Sequence, residues 1–174
     1  PVYNGGETFA ETLRSLLAIG DHDHLTLIVS DNHSNDGSPW RSELQALQSK
    51  GWRTKEVRPP DTLGRIAHWT WALQQGHSPL VKPLFVGDTV LPAFFQDMPG
   101  LMDAHNAALG ACQTAMLFPD KEVHPAESDR VRVYSNRKFV DDNLRHANIV
   151  GPLSAVIFRR SALTKALPFE EDWP

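Results

Sequence analysis

Leu80-Val81-Lys82-Pro83-Leu84-Phe85-Val86-Gly87-Asp88-Thr89-Val90-Leu91-Pro92 is a mostly apolar run that stops at one acid. A run of this length, apolar on both faces, predicts a strand buried on both sides within a parallel sheet. Open α/β sheets bind ligands just beyond the carboxyl ends of their strands. Asp88 therefore stands where a site is expected. The alternative is a strand followed by an aspartate that serves a turn.

The stretches on either side repeat the same unit. Upstream, Phe9, Leu13, Leu16 and Leu17 share one helix face, opened by a Thr8-x-x-Glu11 capping box. Leu25 to Ser30 is a strand rich in β-branched residues. It ends in Asp31-Asn32-His33-Ser34-Asn35-Asp36-Gly37, a turn of small and polar residues. Ser38 and Pro39 then open a helix whose inner face is Trp40, Leu44 and Leu47. Arg53 to Val57 is a weaker strand near a sheet edge. The next helix is capped at Asp61 or Thr62, carries Gly64-Arg65 in its first turn and faces inward with Leu63, Ile66, Ala67, Thr70 and Leu73. Downstream, Pro92 starts a helix that Pro99 should kink or split. Strands are expected over 109–118, 131–134 and 155–158, with helices after Asp141 and over 161–167. Three β-loop-helix units in 92 residues predict an α/β fold with a mostly parallel sheet flanked by helices.

Composition narrows the function. The chain has 174 residues, 41% hydrophobic and 22% charged, enough for one domain with a core. A net charge of −4 and no basic stripe argue against a nucleic-acid partner. No apolar run reaches the roughly 18 residues of a membrane span. Peripheral membrane association stays compatible with this. The single Cys112 allows no internal disulfide and fits a reducing, cytoplasmic compartment. Pro1-Val2-Tyr3-Asn4-Gly5-Gly6 reads as the loop after a missing first strand, and the whole as a fragment. Asp21-His22-Asp23-His24 reads as a polar loop rather than a metal site, and His68, His77 and His105 as structural. A phosphate-cradling Gly-Lys-Ser/Thr, a G-x-G-x-x-G after a strand and a G-x-S-x-G elbow are all absent.

Read together, Pro1 to Gly5, Leu13 to Leu17, Ile28 to Gly37, Leu63 to Trp69, Val81-Lys82, Asp88, Leu91-Pro92, Gly151-Pro152, Val156 to Ser161 and Phe169 resemble a family 2 glycosyltransferase. The resemblance implies the GT-A fold. It also implies one domain over 1–174, with a nucleotide-sugar donor half at 1–92 and an acceptor-side half at 93–174. The implied activity is transfer of a sugar, with inversion, from a UDP-linked donor to a hydroxyl of a glycan or lipid-linked acceptor.

The resemblance assigns roles residue by residue. Tyr3 falls in the donor-binding region. Asp31 matches the acid that hydrogen-bonds the nucleobase. Arg65 matches a basic position near the pyrophosphate. Asp88 matches the last acid of a metal motif, which implies a divalent cation, magnesium or manganese, bridging the diphosphate. Asp172, in the pair Glu171-Asp172, resembles the general base that deprotonates the acceptor. The sequence departs from the family at the metal motif, where Phe85-Val86-Gly87-Asp88 stands in place of the pattern Asp-x-Asp-Asp, and in the position of Asp172, two residues from the end of the sequence. The first departure keeps a second reading open, a non-catalytic nucleotide-sugar-binding relative. A sugar-phosphate nucleotidyltransferase is a weaker third, since Gly5-Gly6 has no nearby Lys or Arg.

Overall fold

The structure is a computed structural model, and it describes residues 1–118, 120–123, 130–146 and 148–169. The described chain is α/β. Strand β1 (Thr26–Ser30) pairs in parallel with β2 (Arg53–Val57), from Thr26 opposite Arg53 to Ser30 opposite Val57. Val2 extends this sheet on the far side of β1 through a parallel bridge to Asp31. Its N–H donates to Ser30 O at 2.7 Å, and its carbonyl accepts from the Asn32 N–H at 2.8 Å. Helices α1 (Gly6–Ser15), α2 (Arg41–Ser49) and α3 (Arg65–Gln74) accompany these strands.

The core follows the predicted faces of α1 and α2 except at Leu17, which is 40% exposed, whereas of the face predicted for α3 only Thr70 is buried, together with His68. Phe9, Leu13 and Leu16 from α1 and its following turn bury against Trp40, Leu44 and Leu47, with Val2 and Val29 from the sheet. Phe9 meets the Trp40 ring edge-on, 5.4 Å between centroids.

Helix starts differ from expectation. Gly5, not Thr8, is the N-cap of α1, and the Gly6 N–H donates to Asp36 Oδ2 at 2.9 Å. A tertiary carboxylate thus takes the place of the capping box, and Thr8 falls inside the helix. Likewise α2 begins at Arg41 after Trp40, and α3 at Arg65 after Gly64, neither with a side-chain cap.

The 80–92 run is not a long buried strand. Only β3 (Leu80–Val81) pairs, antiparallel to β7 (Val156–Arg159). Pro83 has no N–H for a ladder. Lys82 spends its ammonium on the carbonyls of Pro83 and Ser154. Gly87, at φ 89°, turns the chain, and the Asp88 N–H closes that turn on Phe85 O at 3.1 Å. Helix α4 (Pro92–Ala104) runs unbroken through Pro99. Its inward residues Phe94, Met98 and Met102 recur at four-residue spacing, and their burial offsets the one backbone bond that Pro99 removes.

The expected strand over 109–118 is two: β4 (Leu109–Ala111), antiparallel to β7, and β5 (Met116–Phe118), antiparallel to β6 (Lys121–Val123). Residues 131–134 form no strand, and the Val131 and Val133 side chains are exposed. Helix α5 (Asn136–His146) starts earlier than expected, and α6 (Arg160–Ala166) closes the described chain much as predicted. Among the described residues no helix is long and apolar enough to cross a membrane.

One buried polar contact ties α3 to the sheet and predicts a pH effect. His68 Nε2 lies 2.7 Å from Ser30 Oγ, and both residues are buried. Burial pushes the His68 pKa down from 6.5 to about 4. The unfolded chain therefore binds a proton in this window that the folded chain refuses. Stability is complete above about pH 6.5 and falls as pH drops towards 4, by about 3 kcal/mol. Urea titrations at pH 7 and pH 4.5 should show this fall in the wild type and a shallower one in His68→Asn. Equal falls in both proteins would remove the assignment.

Candidate functional site

Asp31 follows β1 directly, at the carboxyl edge of the parallel pair. Its side chain is 0% exposed. Oδ1 accepts the Ser34 N–H at 3.0 Å, and Oδ2 accepts the Arg58 guanidinium at 2.5 Å, with Arg41 at 3.6 Å from the same oxygen. Burial pushes the carboxyl pKa up, but the Ser34 hydrogen bonds and the Arg58 guanidinium outweigh it and hold Asp31 below its usual range. The acid is an ionised hub turned inward, and Arg58, 46% exposed, covers it from solvent.

Asn32 builds the neighbouring wall. Its Nδ2 donates to Leu63 O at 2.8 Å and its Oδ1 accepts the Leu63 N–H at 2.9 Å. This two-way clasp holds the start of α3 against the end of β1. His33 Nε2 reaches Pro59 O at 2.9 Å, fixing the β2–α3 connection at a second point. The turn after β1 is also tied to the first residues of the chain. The Asn4 N–H donates to Ser34 Oγ at 2.9 Å, and Asn4 Oδ1 accepts the Asn35 N–H at 2.8 Å. Tyr3 lies between this clasp and the Val2 bridge with its side chain 55% exposed at the rim.

Arg65 opens α3 and is exposed, with no ion-pair partner among the described residues. Its guanidinium stands 5.6 Å from the Trp69 ring centroid, and Trp69 lies 4.5 Å from the Phe85 ring. These two aromatic residues connect Arg65 physically to the 85–88 loop. The loop is pinned from two other sides. Thr12 Oγ1 of α1 accepts the Gly87 N–H at 3.0 Å. Ser154 accepts the Phe85 N–H at 3.1 Å and donates its hydroxyl to Asp88 Oδ2. Lys82 donates to the Ser154 carbonyl and sits 4.7 Å above the Phe94 ring. Burial pushes its pKa down to about 8 against the opposing pull of Cys112 and Asp88.

Of the residues singled out in the sequence, Tyr3, Asp31, Arg65 and Asp88 thus lie on segments that are hydrogen-bonded or stacked to one another. Asp172 lies outside the described residues. Asn32, Arg58, Thr12 and Ser154 were not singled out. Arg58 had a signal, as a cation at a strand end before Pro59-Pro60; Ser154 and Thr12 had none.

The loop fits a divalent cation poorly. Hard cations need several oxygen ligands. Here Phe85 packs against Trp69 with the rings tilted by 52°, Gly87 has no side chain, and Asp88 already accepts a hydroxyl. Among the described residues no group of three or more His, Cys, Asp or Glu could hold a metal.

Solved structures share this fold. The crystal structure of S. aureus TarS 1-349 in complex with UDP matches with a TM-score of 0.69 at 18% identity, covering 95% of this chain and 46% of that one. The same protein in complex with UDP-GlcNAc matches with a TM-score of 0.52 at 21% identity, over 63% of this chain and 31% of that one. The chain spans less than half the length of these TarS structures. No curated protein matches it. The model of glycosyl transferase family 2 matches residues 1–166, and the chain belongs to that family.

Proposed function

We propose that this chain carries the donor site of a glycosyltransferase that moves a sugar from a UDP-linked donor to a hydroxyl acceptor with inversion. The observation that carries the reading is the convergence of four segments at the carboxyl edge of β1 and β2: the Tyr3 turn, the Asp31 turn, the Arg65 helix start and the Asp88 loop. Asp31 takes the base N–H once Arg58, half-exposed and cheaply resolvated, releases Oδ2. Tyr3 flanks the base, and Arg65 and Asp88 lie at the diphosphate. In the reaction the acceptor oxygen attacks the anomeric carbon, the bond from that carbon to the diphosphate breaks, and UDP leaves. The hydroxyl proton goes to a general base, for which Asp172 is the candidate. The acceptor is a glycan or lipid-linked hydroxyl met by the 93–174 half.

Calorimetry of UDP binding in buffer containing manganese tests the donor site. Asp31→Asn keeps the shape and one acceptor, and should raise Kd by about tenfold, the worth of one charge-assisted hydrogen bond. No UDP binding to the wild type, or an unchanged Kd in Asp31→Asn, overturns the reading. A second reading, a binding protein without transferase activity, is favoured by the single acid in the 85–88 loop. Release of sugar from UDP-GlcNAc by the wild type, lost in Asp88→Asn, decides for the enzyme.

A further inference from the structure

The 85–88 loop carries a single acid, Asp88, and an aromatic contact between Phe85 and Trp69, and both features bear on the same ligand. A nucleotide diphosphate brings negative charge that must be met where it binds. At this loop one carboxylate remains, and its Oδ2 is engaged by Ser154. Lys82, on the Ser154 carbonyl, already sets one cation beside Asp88, so a second cation there would be repelled. Phe85 packs on Trp69, and the Trp69 ring in turn lies 5.6 Å from the Arg65 guanidinium. Arg65 is exposed and unpaired among the described residues, so its charge is free for an incoming anion. Guanidinium is charged at every working pH, grips phosphate oxygens in pairs, and loses little freedom when an aromatic face already fixes its plane.

We infer that the donor diphosphate is held at the 85–88 loop without a divalent cation, its charge met by the Arg65 guanidinium that Trp69 and Phe85 support. This rests on the donor-site reading above and assigns Phe85 and Trp69 as positioning residues within it.

The test is calorimetry of UDP on the whole protein, in EDTA and again with manganese or magnesium. The wild-type Kd in EDTA should agree with that in metal within about twofold. In EDTA, Arg65→Ala should raise Kd by about 10- to 100-fold, the worth of a charge-assisted phosphate contact. Arg65→Lys should recover part of the loss, and Trp69→Leu, which leaves the charge but removes its shelf, should fall between wild type and Arg65→Ala. Arg65 is exposed, so thermal melts of its variants should match the wild type. Binding that appears only with metal overturns this inference and leaves the donor site standing. An unchanged Kd for Arg65→Ala in EDTA also overturns it. UDP failing to bind under every condition overturns the donor-site reading and this inference with it.

Discussion

Trp40→Ala is expected to cost 3–5 kcal/mol, roughly the range for removing a fully buried large aromatic side chain. Trp40 is 0% exposed and lies at the junction of α1, α2 and the sheet, where no neighbour can move in without opening the Phe9, Leu44 and Leu47 packing. Phe9 loses its edge-on partner, and Arg41, 4.9 Å from the same ring, loses its support. A second variant separates packing from polarity. The Trp40 Nε1–H is buried and finds no acceptor among the described residues. An unmet buried donor costs about 1–3 kcal/mol, so Trp40→Phe removes a penalty along with some contact area. It should therefore cost well under half of what alanine costs. Urea midpoints at constant m-value give both numbers. Equal losses for the two variants would overturn this account, since alanine removes far more ring volume than phenylalanine while both remove the buried N–H.

Asp31→Ala is expected to destabilise by about 3 kcal/mol and to abolish UDP binding. The lost carboxylate leaves the Ser34 N–H without its acceptor and Arg58 and Arg41 facing one another without the charge between them. The figure stays at the low end for a broken buried pair because Arg58, 46% exposed, can return to water. The pH dependence separates this term from that of His68. The folded-state pKa of Asp31 is depressed, so its contribution is complete above pH 3.8 and is lost only as pH falls through the lower folded value. The gap in unfolding free energy between wild type and Asp31→Ala should therefore be flat from pH 7 to about 4.5 and close below that. A gap that shrinks between pH 7 and 5 would mean that Asp31 is not the ionised hub of this turn.

The parts of the fold visible in the sequence are those set by local periodicity. β1 and β2 fall within a residue of their expected bounds because β-branched content and bounding turns are short-range signals. The helix faces with Phe9, Leu13, Leu44 and Leu47 are likewise local and are the faces that bury. The 80–92 run misled because its apolar content is not strand pairing: Pro83, Lys82 and Gly87 each divert the backbone, and Val90 and Phe94 bury from a loop and a helix instead. Helix starts were displaced where a distant side chain, Asp36 at Gly6, supplies what a local cap would have supplied. At the site, Asp31 and Arg65 were legible as a strand end and a helix start. The contacts that hold these segments were not, since the Asn32 amide on the Leu63 backbone and the Ser154 hydroxyl on Asp88 join positions far apart in the chain and leave no period to read.

The Asn32 clasp sets a length. Residues 58–64 leave the sheet at Arg58, are tied at Pro59 by His33, and are tied again at Leu63 by both atoms of the Asn32 amide. Between those anchors the chain has Pro60 and little slack. The connection is a strap cut to measure, and Arg65 stands where it does because of the strap's length. An extra residue between Pro59 and Leu63 would leave the helix intact but shift its first arginine along the edge of the sheet.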